Sequence, residues 1–285
     1  MKIDKKLIYV TIFSFSWAIR ILFNKMALNT GIEPMVFTVQ SVLCSTILLT
    51  IYAISTKRKE FKRIDKNVFK KFILIGLLMG ISYITGIYGL RLSTSINYSF
   101  LIKSTIVFTT LLAVIFLKED INKGKVLLLI TFILGAYLVT TGGKLIIPKV
   151  GDLLIIATAF CLSSSVITQK TLSGKIKPEI MAWANRFFAF LVLILLIPIM
   201  GIKPFDSFSL LFVVIVGTLS AVTIIYLNKL LSVSTASYAT MMSMIVPVIN
   251  SILGIFILKE HMNIFQIIGG MMIIISGILT QKKNI

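Results

Sequence analysis

The sequence predicts an all-α integral membrane protein with ten transmembrane helices in two inverted five-helix repeats. Three observations predict it: composition, the placement of basic residues and an internal repeat. The chain has 285 residues, 57% apolar and only 14% charged, with a mean hydropathy of +1.00. An ordinary soluble domain carries about 25% charged residues. A water-soluble chain of this size could not bury so much apolar surface. A soluble enzyme, a disordered tail and a nucleic-acid module are therefore excluded. At roughly 20 apolar residues per crossing, the chain holds about ten spans with short loops.

In chain order the apolar runs fall at 7–28, 34–55, 72–91, 94–117, 126–143, 152–171, 179–200, 209–230, 235–258 and 264–281. The first follows the short basic stretch Met1–Lys6 and ends near Lys25 without a small-residue cleavage site. It therefore reads as a span and not as a cleaved signal peptide. Spans 2 and 3 are separated by the long connection Thr56–Lys71, which carries eight basic residues against Glu60 and Asp65. Gly76 and Gly80 in span 3 form a small-xxx-small pair that permits close helix packing. Span 10 is the cleanest, with no charge from Ile264 to Thr280. Cys44 and Cys161 lie in apolar runs and read as free thiols, without disulfide or metal spacing.

Orientation follows from charge. The formal net charge is +19, which in a soluble protein would suggest nucleic acid. In a membrane protein, cytoplasmic loops collect Lys and Arg. With the N-terminus placed inside, 20 of the 29 basic residues fall on the inner side and five on the outer. The four within spans are Arg20, Lys25, Lys103 and Arg186. Both termini are predicted to be cytoplasmic, as an even number of spans requires.

Segment 93–123 aligns without gaps on 234–264, with eight identities in 31 positions, including Ser93-Thr94 on Ser234-Thr235 and Leu117-Lys118-Glu119 on Leu258-Lys259-Glu260. A second stretch, at an offset of 145, puts Lys25 on Lys170. The halves are read as 1–147 and 148–285. Five spans per half is odd, so the second half is inverted relative to the first. Such repeats place substrate near the membrane midplane, at the repeat interface.

The second half runs Ile245-Val246-Pro247-Val248, then Leu258-Lys259-Glu260, Gln266, Gly269-Gly270 and Ser276-Gly277. The first half has Leu117-Lys118-Glu119 and Gly135, and Trp17-Ala18 stands in span 1. This series resembles the EamA type of the drug/metabolite transporter superfamily over nearly the whole chain. Ala18 stands where the family has Gly, and Ile106 stands opposite Pro247. Arg186 matches a family arginine, whose counterpart in the first half is Ser41. The resemblance implies a central cavity between spans 1–4 and 6–9, with spans 5 and 10 outside. It also implies traffic in amino acids, related metabolites or drugs. Relatives in the wider superfamily exchange phosphorylated sugars and nucleotide sugars.

Lys103 is the sharpest signal. It sits about nine residues into span 4, roughly 13 Å deep at 1.5 Å per residue. Such burial costs about 2.5–3.5 kcal/mol on insertion scales. It reads as a cation that meets a substrate carboxylate or phosphate, or else as a snorkelling or backbone-bonded lysine. Its repeat counterpart is Met244. Arg20 reads as a second anion contact or gate, or as a structural group. Arg186, beside Trp183 and Asn185, reads as structural, and Lys25 lies close enough to a helix end to snorkel. Tyr83, Tyr226 and Tyr238 offer amphipathic rings, as does Tyr88, while Asn97 and Asn250 either orient a polar group or join helices. The expected substrate-binding residues are thus Lys103, Arg20, Tyr83, Asn97, Tyr226, Tyr238 and Asn250.

None of the ten acids lies mid-span. Their absence weakens proton coupling through an intramembrane carboxylate. Glu119 and Glu260 read as caps of the helices that follow them. His261 is the only histidine. No metal cluster, nucleophile–base pair or phosphate-cradling glycine loop appears in the sequence, so no cofactor, metal or catalysis is expected. The first functional reading is a secondary carrier of a small organic metabolite in the cell membrane, amino acids or relatives favoured, working by alternating access. The alternatives are an organic-phosphate antiporter and a non-transporting, lipid-interacting protein. The expected partners are a small-molecule substrate and membrane lipids, with no nucleic acid; a homodimer stays open.

Overall fold

The computed structural model describes residues 5–119, 123–143, 149–200 and 209–282. These residues form α1 (Lys5–Asn29), α2 (Pro34–Lys57), α3 (Lys66–Arg91), α4 (Ser95–Leu101), α5 (Ser104–Leu117), α6 (Lys123–Thr141), α7 (Val150–Leu172), α8 (Pro178–Met200), α9 (Leu210–Val233), α10 (Ala236–Met242), α11 (Ile245–Leu258) and α12 (Ile264–Lys282). Lys2, Lys144, Lys203 and Lys283 of the charge tally, and the junction at 147/148, lie outside the described residues. Eight helical segments are long and apolar enough to cross a bilayer, counting α4–α5 and α10–α11 as one each. The stretches Val126–Val139 and Ile264–Ser276 are shorter apolar helices. Each predicted run therefore coincides with a helix or a helix pair.

Local chemistry sets the ends. Glu33 accepts from Val36 N at 2.7 Å while Pro34 takes the first helical position of α2, where its missing N–H is no loss. Asp65 caps α3 through Val68 N at 2.8 Å. The connection Thr56–Lys71, expected as a loop, is largely helical: α2 runs to Lys57, a 3-10 segment covers Arg58–Arg63, and α3 starts at Lys66.

The outer surface is apolar, and the interior mixes hydrophobic clusters with many buried polar side chains. Ser45, Ser99, Lys103, Thr109, Asn185 and Asn250 are fully buried. Phe116, Leu127, Leu195 and Phe256 are 64–72% exposed. Such an outer surface suits a membrane.

The two halves pack by the same rule. Helix α1 lies on α9 and α11, as α7 lies on α3 and α5; α2 meets α8, and α6 meets α12. Glycines allow the closest approaches. A Cβ on Gly76 would fall on Phe188 of α8, and one on Gly80 would lie 2.6 Å from Val192. Gly135 and Gly269 face each other where α6 crosses α12, a Cβ on Gly135 reaching within 2.7 Å of the Gly269 carbonyl.

Spans 4 and 9, read from sequence as continuous, are each broken in the middle. At the first break Thr105 N donates to Ile102 O at 3.1 Å, and Ile106 N to Lys103 O at 2.8 Å, a tightened three-residue spacing. At the second, Val246 N donates to Ser243 O at 3.0 Å. Pro247 explains the second break, because it has no N–H for the Ser243 carbonyl. The first break stands at the equivalent place without a proline. There Lys103 Nζ donates to Ser243 Oγ at 2.7 Å, so each break is tied to the other.

The expected roles of three charged residues change. Glu260 caps α4 of the other half instead of the following helix: it accepts from Ser95 N at 2.7 Å, Ile96 N at 3.0 Å and Ser95 Oγ at 2.9 Å. Glu119 likewise accepts from Ser237 Oγ in α10 at 2.5 Å. Lys25 does not reach for lipid. It donates to Leu90 O at 3.0 Å and Ser93 O at 2.5 Å, and its counterpart Lys170 donates to Leu231 O and Ser234 O. Cations on the last carbonyls and carboxylates at the next N-terminus both suit the helix dipoles.

Candidate substrate-binding site

Where the halves meet, two cavities are stacked along α1. The first is enclosed by the C-terminal half of α1, the start of α2, the end of α3 and α9, with Arg20, Asn24, Thr38, Tyr83, Leu90 and Ser220 in its wall. The second lies toward the N-terminal half of α1 and includes Phe13, Trp17, Arg20, Tyr83, Gln169, Asn185, Arg186 and Thr223. They enclose about 50 and 70 Å³. Arg20, Tyr83 and Leu162 belong to both walls, so these side chains form the partition between them.

Helix spacing explains the second wall. Phe13, Trp17 and Arg20 lie three and four residues apart, on one face of α1. Asn185 and Arg186 come from α8, Thr105 and Thr109 from α5, and Thr223 from α9. Side chains lock these helices together. Thr223 bonds Ser16 at 2.9 Å, and Asn228 Nδ2 donates to Gln169 Oε1 at 3.0 Å. Arg186 is 3% exposed. It donates to Asn185 Oδ1 at 3.3 Å and to Ser220 O at 3.2 Å, and its guanidinium lies 5.1 Å from the Tyr83 ring centre.

Several polar atoms here remain unmatched. Arg20 Nε, Arg186 Nε, Asn185 Nδ2 and the Tyr83 hydroxyl are buried without hydrogen-bond partners. Such orphans are rare in folded proteins, and each needs a reason. Arg20 and Arg186 both line the second cavity, and among the described residues neither wall contains a carboxylate.

The residues expected from sequence divide. Arg20 and Tyr83 stand in the partition. Lys103 is fully buried outside both walls, its Nζ 4.0 Å from the Trp17 ring centre and bonded to Ser243. Its ammonium meets Trp17, a wall residue of the second cavity. Asn97 accepts from Gln266 Nε2 of α12 at 3.0 Å and joins helices there. Tyr226 meets Tyr9 edge-on and lies under Lys229. Tyr238 packs with Val10, Ala113 and Leu230. Asn250 is fully buried with both side-chain atoms unpartnered, in neither wall. Tyr88 donates to Glu33 at 2.8 Å. Sequence reasoning passed over Arg186, Asn185 and Gln169 as wall residues. The signal for two of them was present: an Asn-Arg pair seven residues into an apolar run.

Cavities with arginines among largely apolar walls, enclosed by helices from two matching halves, suit a multi-pass membrane transporter of small substrates. The chain belongs to the EamA-like transporter family, whose model matches it twice, over residues 4–141 and 149–280. Among solved structures 28 chains match. One crystal structure is similar with a TM-score of 0.68 at 13% identity, over 96% of this chain and 98% of that one. This likeness shows a shared fold. No curated protein matches the chain.

Proposed function

We propose that this protein is a secondary carrier that moves a small organic metabolite bearing an acidic group, amino acids and their relatives included, across the cell membrane by alternating access. Ten spans in two inverted halves, with both termini cytoplasmic, would form it. One observation carries the reading: the stacked cavities share the partition Arg20–Tyr83–Leu162, so a solute on either side meets the same groups. Rocking one half against the other would open one compartment as it closes the other. Glu119 and Glu260 each bond the start of the other half's broken helix and tie those ends across the halves.

Tracer counterflow in proteoliposomes tests the proposal. A panel of amino acids, organic acids and organic phosphates is preloaded, and uptake of the labelled compound is followed. Saturable, trans-stimulated uptake of at least one compound is expected. Flux that rises linearly with concentration and ignores the preloaded solute would rule out a carrier.

A further inference from the structure

We infer that the solute held between Arg20 and Arg186 is an organic oxyanion without an ammonium group, a carboxylate or a phosphate ester. The inference rests on the carrier reading and narrows its substrate. The second cavity offers buried donors without acceptors: Arg20 Nε, Arg186 Nε, Asn185 Nδ2 and the Tyr83 hydroxyl. An oxyanion supplies two or three acceptor oxygens and the charge that two neighbouring guanidiniums lack. Arginine's planar fork suits both carboxylate and phosphate.

An ammonium would find only neutral acceptors: the unpartnered hydroxyls of Tyr83, Thr105 and Thr109 in the wall. Among the described residues the wall has no carboxylate to balance a third positive charge. Asn185 Oδ1 already accepts from Arg186, and Gln169 Oε1 from Asn228. One face of Tyr83 and one of Trp17, where a cation would dock, are already taken by Arg186 and Lys103. A zwitterion would therefore carry its positive end into a wall that already holds the Arg20 and Arg186 guanidiniums.

The experiment pairs compounds that differ only at the amine: pyruvate with alanine, and 2-oxoglutarate with glutamate, with glycerol 3-phosphate as the phosphate arm. Counterflow is measured on the full chain in proteoliposomes, and the melting temperature of the purified protein is measured with each compound. The oxo acids or the phosphate are expected to exchange and to raise the melting temperature, while the amino acids do neither. Which arm responds separates carboxylate from phosphate. Arg20→Gln and Arg186→Gln are each expected to raise KM tenfold or more. Should these fail to fold, Asn185→Asp puts a carboxylate beside Arg186 and is expected to weaken oxyanion exchange at least tenfold. Exchange of alanine or glutamate with their oxo acids inert would overturn the inference and leave the carrier standing. Absence of all saturable exchange would defeat the carrier reading. In that case a melting shift by oxyanions, lost in the arginine variants, would still support the site, and no shift would overturn it.

Discussion

Lys103 illustrates how one side chain can be prominent in a sequence and yet lie outside the cavity walls. Its ammonium lies on the Trp17 face and on Ser243. A desolvated cation–π contact contributes about 2 kcal/mol, comparable with the insertion cost of a mid-membrane lysine. The lysine thus ties the break in α4–α5 to the break in α10–α11, across 140 residues of chain. Lys103→Met is therefore expected to reduce the maximal exchange rate and the melting temperature while changing KM less than about threefold. A tenfold rise in KM with unchanged maximal rate would instead put the ammonium on the substrate. Arg20 makes the opposite case, since its place in both walls predicts a KM effect.

At the scale of helices, glycines and caps carry the assembly. Gly76 lets α3 lie directly on Phe188 of α8. Gly76→Leu is expected to lower the melting temperature by the equivalent of about 1–3 kcal/mol, the usual cost of overpacking, with Gly76→Ala milder; unchanged melting would contradict the contact. Glu260 satisfies two backbone donors and a hydroxyl at the start of α4. Glu260→Ala is expected to cost about 1–3 kcal/mol, and more than Glu119→Ala, for which the described residues provide one hydroxyl. Helix positions were legible from apolar runs, but both spans were read as continuous. Pro247, which lacks an N–H, was a signal for the second break that the reading passed over. The first has no proline to mark it, and Lys103 there bonds Ser243 of the other half. Helices apolar on every side also hide which face turns inward. Hence Asn97, Tyr226 and Tyr238, polar in sequence, ended in helix contacts away from the cavity, while Arg186 ended in its wall.

At the scale of the whole molecule, the matching pairings of α1 with α9 and of α3 with α7 reflect two repeated halves. The proposed orientation, argued from the basic bias, would put Lys62 inside and His261 outside. In a chain with Cys44 and Cys161 replaced by Ser, a cysteine at position 62 is expected to react with an impermeant thiol reagent only from the cytoplasm. A cysteine at position 261 should react only from outside, and labelling of both from one face would refute the topology. The central claim, that solute passes through the stacked cavities, is tested most directly at Leu162, which lines both without a polar group of its own. Counterflow by Leu162→Trp is compared with wild type at matched melting temperature. The account predicts saturable exchange in wild type and its loss in the variant, whose indole fills the passage. Exchange at the wild-type rate in Leu162→Trp would contradict it and put the route elsewhere.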